Sequence, residues 1–101
     1  MELKKTTIKG REIYVMFTGD KYFFYSNYYG ILAVAERYND THFITAVGNH
    51  HTTGGQMNTP TIERAVKRYI NREENQFVTK KVTFEFFNRD LAISTLKIEC
   101  I

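Results

Sequence analysis

A single stretch spaces its apolar side chains for a helix: Ile62, Ala65, Val66, Tyr69 and Ile70 recur at helical intervals and form one stripe. Thr59 can cap its start. Pro60 suits the first helical position, where a missing N–H would have had no partner. The spacing predicts a helix over residues 60–73, released at Glu74-Asn75. Almost everything before it reads as strand. Residues 2–9 have strand propensity, and residues 12–18 alternate Ile13, Val15 and Phe17 with Tyr14 and Met16. Gly19-Asp20 supplies a tight turn, residues 21–27 return, and the run over residues 31–38 is apolar on both faces for its first five residues, as in a central strand. Asn39-Asp40 reverses the chain into residues 41–47.

From Gly48 to Asn58 the sequence is polar, Gly-rich and aperiodic, which predicts a loop. After the helix, residues 76–87 and 91–101 read as strands joined by Asn88-Arg89-Asp90. The expected fold is α+β: an antiparallel sheet of about five to seven strands, one helix packed on one face and a C-terminal β-hairpin. With 101 residues, 43% of them hydrophobic, the chain is sized for one core, so residues 1–101 are expected to form a single domain.

Seven Tyr and eight Phe with no Trp crowd that small core, and the densest run is Tyr22-Phe23-Phe24-Tyr25-Ser26-Asn27-Tyr28-Tyr29. An alternating strand hides half of such rings unless both sheet faces are covered. A helix of about 14 residues is roughly 21 Å long and cannot cover both. Aromatic surface is therefore left over, and that composition belongs to protein interfaces. Self-association as a twofold dimer is the simplest remedy.

The net charge of +3, from 14 basic and 11 acidic side chains with the signs mixed, permits nucleic acid without demanding it. Arg64, Lys67, Arg68 and Arg72 avoid the apolar stripe and could lie along phosphates, although Glu63, Glu73 and Glu74 offset part of that charge. No run of about 20 apolar residues is present, so no membrane partner is expected. The start, Met1-Glu2-Leu3-Lys4-Lys5-Thr6-Thr7, lacks a signal-peptide stretch, and the expected location is cytoplasmic. Cys100, the one thiol, reads as a small apolar filler.

Catalytic readings are weaker. His42, His50 and His51 have no Cys and no acidic residue between Thr41 and Ile62 to complete a metal set. His51-Thr52-Thr53 is one copy of a His-x-Thr triplet that two-histidine phosphoesterases use twice. Thr52-Thr53-Gly54-Gly55 lacks the Gly-Lys-Thr ending of a nucleotide loop. The expectation is a protein that is not an enzyme and takes no cofactor and no metal.

Tyr25-Ser26-Asn27-Tyr28 leading into Ile31-Leu32-Ala33-Val34-Ala35, then Thr52-Thr53 ahead of a basic helix, resembles a group of small bacteriophage accessory proteins over about half the chain, from Tyr22 to Ile70. No Thr follows Asn27, and Gly54 to Asn58 lengthens the passage into the helix. The resemblance implies a phage-type protein that binds and inhibits or modulates a host protein, for instance in counter-defence. Tyr22, Tyr25, Tyr28, Tyr29, Arg64, Arg68 and Tyr69 are the expected protein-binding residues, in a homodimer. The alternative is a small nucleic-acid binder using Arg64, Lys67, Arg68 and Arg72 on phosphates, with exposed tyrosines as stacking platforms.

Overall fold

The computed structural model describes residues 2–48, 58–74 and 82–89. Strands β1 (Glu2–Ile8), β2 (Arg11–Phe17), β3 (Lys21–Ser26), β4 (Gly30–Asn39) and β5 (His42–Gly48) follow one another as an antiparallel meander. Helix α1 (Thr59–Glu74) then carries the chain to β6 (Thr83–Arg89), which pairs with β5 and completes a six-stranded sheet in the order β1-β2-β3-β4-β5-β6. The fold is thus α+β with one helix and a mostly antiparallel sheet among the described residues. The last pairing departs from the antiparallel expectation: β6 runs parallel to β5, because a crossover through a helix brings the chain back to the end where β5 began. Asn88 and Arg89, expected in a turn, instead pair with Val47 and Gly48 as the end of β6. The expected strand over residues 91–101 lies outside the described residues, as do residues 49–57 of the expected loop.

Local chemistry sets the turns. Between β1 and β2 both Lys9 (φ 52°) and Gly10 (φ 78°) take positive φ, the pair of left-handed residues that a two-residue hairpin with matching twist requires. Gly19 (φ 105°) serves the next turn, closed by the Thr18 N–H donating to the Lys21 carbonyl at 3.0 Å. At the β3–β4 turn the Ser26 hydroxyl accepts from the backbone N–H groups of Tyr28 (3.1 Å) and Tyr29 (3.2 Å). A buried serine there satisfies donors that the turn would otherwise leave open.

The core lies between α1 and one face of the sheet. Ile13 and Val15, Tyr22 and Phe24, Ala33 and Ala35, and Phe43 and Val47 alternate along β2 to β5 and pack against Ile62, Val66, Tyr69 and Ile70 of the helix. Rings dominate: Tyr69 meets Phe24 edge-on at 5.6 Å and Tyr22 at 6.4 Å, and Phe43 stacks on Phe84 at 5.9 Å. The opposite face carries Met16, Phe23 and Val34 in one cross-strand row. Phe23 is fully buried, whereas Tyr14, Met16, Tyr25, Val34, Ile44 and Ala46 are half-buried.

The helix begins one residue earlier than its sequence signal. Asn58, rather than Thr59, is the cap: its Oδ1 accepts the Thr61 N–H at 3.0 Å and its carbonyl accepts the Ile62 N–H at 3.1 Å. Pro60 then occupies the second helical position, which also needs no donor. At the other end two carboxylates face the negative pole of the helix, and each meets a cation of the sheet. Glu73 pairs with Lys4 at 3.2 Å, and Glu74 takes Arg37 at two points.

Candidate protein-binding surface

The expected binding residues divide by depth. Tyr22 (5% exposed) and Tyr69 (4% exposed) are core residues beneath the helix and offer no ring to a partner. They point into the sheet–helix layer because Tyr22 shares strand parity with Phe24, and Tyr69 stands on the apolar stripe of α1. Tyr25 is half-buried on the opposite sheet face, directly across from Tyr14. Tyr28 is 75% exposed at the β3–β4 turn, and Tyr29 beside it packs partly against the core.

Tyr28 and Tyr29 meet edge-to-face at 4.7 Å, and the Arg11 guanidinium lies over both, 4.9 Å from the first ring and 5.3 Å from the second. Arg11 reaches them because it opens β2 directly across from Ile8, at the end of the sheet where the β3–β4 turn also lies. Cation–π contact holds the three groups in one arrangement. Arg11 Nε is buried and has no hydrogen-bond acceptor among the described residues. The alternating run that the sequence shows begins at residue 12, beside and not including Arg11, whereas β2 begins at Arg11 itself.

Arg64, Lys67, Arg68 and Arg72 are all exposed, but they are not one surface. Arg64, Arg68 and Arg72 are four residues apart and run along the flank of α1 that overlooks β1, where they line two adjoining depressions. Lys67 lines neither, being turned about 100° from Arg68 around the helix axis. Among the described residues Arg64, Arg68 and Arg72 form no ion pair. Arg72 lies over the Tyr69 ring at 5.4 Å.

A second constellation, at the far end of the helix, is structural. Glu74 accepts the Tyr22 hydroxyl at 2.7 Å as well as both Arg37 nitrogens. Burial, then the hydrogen bond to Glu74, pushes the Tyr22 phenol far above its ordinary value, and the bond to Glu74 raises Arg37. A phenol so firmly neutral and a guanidinium so firmly charged are poor proton carriers at neutral pH.

His42 stands at the start of β5, 3.5 Å from a Glu85 carboxylate oxygen and edge-on to the Tyr38 ring at 5.4 Å. His50, His51 and the Thr52-Thr53-Gly54-Gly55 stretch lie outside the described residues. Among the described residues no three His, Cys, Asp or Glu side chains gather as a metal site, and no helix is long and apolar enough to cross a membrane. Neither family models, curated proteins nor solved structures give a match to this chain.

Proposed function

We propose that this chain is a non-enzymatic, phage-type accessory protein that binds a host protein in the host cytoplasm and inhibits or modulates it, counter-defence being the concrete form. The observation that carries the reading is the Arg11–Tyr28–Tyr29 cluster, where an exposed ring is held by a cation and a second ring on a sheet end. Tyr and Arg dominate binding energy at protein interfaces, and side chains already fixed in place lose little entropy when a partner arrives. A homodimer is part of the proposal. The half-buried Tyr14, Met16, Tyr25, Val34 and Ile44 on the sheet face away from α1 support an isologous contact there, which leaves the Arg11–Tyr28 end open.

The Arg64–Arg68–Arg72 row favours a second reading, nucleic-acid binding, since these cations have no carboxylate partner among the described residues and a row of such cations suits a phosphate backbone. Affinity capture from nuclease-treated host extract separates the two. The proposal expects one host protein in stoichiometric amount with the wild-type chain, and its loss with Arg11→Ala and Tyr28→Ala. Capture of nucleic acid alone from untreated extract, with no protein left after nuclease, would reverse the order.

A further inference from the structure

We propose that the groove between α1 and the edge strand β1 receives an extended acidic segment of the bound protein, which adds to the sheet beyond β1 and sets its carboxylates against Arg64, Arg68 and Arg72. This rests on the protein-binding reading above and names a partner chemistry for it. Among the described residues β1 ends the sheet and pairs only with β2, and its outer row of backbone N–H and C=O groups meets no strand there, which leaves it to another strand. Leu3 is 63% exposed, and the Lys4 and Lys5 side chains are 50% and 60% exposed.

The helix lies along this edge in the opposite direction. Arg64 shares a depression of about 190 Å³ with Lys9, Arg68 and Arg72 share one of about 180 Å³ with Thr6, and Glu73 reaches Lys4. Four helical residues advance about 6 Å, and two strand residues advance about 6.7 Å. Alternate side chains of an added strand therefore keep pace with the three arginines, while the intervening ones fall on the side of Leu3. The occupant that fits has Glu or Asp at every second position and apolar or β-branched residues between.

Charge decides against a second copy in this groove. Two β1 strands side by side would bring Lys4 and Lys5 of both chains together, and like charges across a strand pair are destabilising. An oligonucleotide could follow the arginines but has no main chain to pair with the edge.

The test is fluorescence anisotropy of the full chain with a labelled peptide, Thr-Glu-Val-Glu-Val-Glu-Thr. Three comparison probes accompany it: the same composition with the three Glu contiguous, the alternating peptide N-methylated on alternate residues, and an oligo-dT strand. The proposal expects saturable binding of the alternating peptide and weakening by about tenfold or more for each altered peptide and for the Arg64→Glu/Arg68→Glu chain. Equal binding of the contiguous or N-methylated probe would reduce the site to bulk attraction and overturn it. So would tighter binding of oligo-dT, or no binding of the alternating peptide. If peptide binding fails while Tyr28-dependent capture of a host protein persists, the edge site alone falls; if capture fails and the peptide binds, the Arg11–Tyr28 reading falls instead.

Discussion

Arg37 and Glu74 meet through two parallel contacts, Nη1 to Oε1 and Nη2 to Oε2, both 2.9 Å, which tie β4 to the last turn of α1. The pair is mostly enclosed, with side-chain exposures of 22% and 11%, and the guanidinium lies over the Phe43 ring at 4.9 Å. Removing one partner strands the other charge in a poorly solvated place. Arg37→Ala and Glu74→Ala should each destabilise the fold by about 2–3 kcal/mol, somewhat below the loss for fully buried pairs. The double variant should cost less than the sum of the two. A double-mutant cycle from urea unfolding checks this, and strict additivity would mean the pair is not coupled.

Tyr22 donates to the same carboxylate, and its phenol is held neutral. Its folded pKa lies above the unfolded value of about 10. The contribution is therefore complete below about pH 10 and is lost as pH rises from there toward the folded value. Unfolding free energy measured from about pH 9 upward should fall in the wild type and fall less steeply in Tyr22→Phe. Parallel pH profiles for the two proteins would contradict this.

Lys9 has φ 52°, a conformation that L side chains resist, in a turn that needs it. Lys9→Asn or Lys9→Gly should stabilise the chain by about 0.5–1 kcal/mol. Gly10 also has positive φ, and an added Cβ would meet nothing within 4 Å, so Gly10→Ala should be destabilising through backbone conformation alone. Thermal denaturation of the three variants reads both signs.

Thr45 is fully buried on the helix-facing side of β5, and its hydroxyl has no hydrogen-bond partner among the described residues. Thr45→Val keeps the shape and removes the desolvated oxygen, which should raise stability by about 1 kcal/mol. A lowered melting temperature in this variant would show that the hydroxyl is satisfied after all.

The helix, its apolar stripe and the first five strands were legible in the sequence because period and turn chemistry are local. The parity of the tyrosines was not. Tyr22 and Tyr25 stand on opposite faces of β3, and which one is roofed depends on where a helix some forty residues later comes to rest. The parallel pairing of β6 with β5 depends in the same way on contacts remote in sequence. Asn58 and Thr59 are both competent caps, and only the fold chooses between them. Arg11 is hidden for another reason: it stands one residue before the alternating run 12–18, and its stacking on Tyr28 and Tyr29 joins residues from two separate hairpins.

In the proposed mode of action a partner protein is held at the Arg11–Tyr28–Tyr29 end of the sheet. The decisive measurement is isothermal titration of the captured host protein against wild type and Tyr28→Ala, both verified as folded by circular dichroism. Tyr28→Ala should lose about 2 kcal/mol, roughly thirtyfold in Kd. Equal affinity of the two chains for that protein would contradict it.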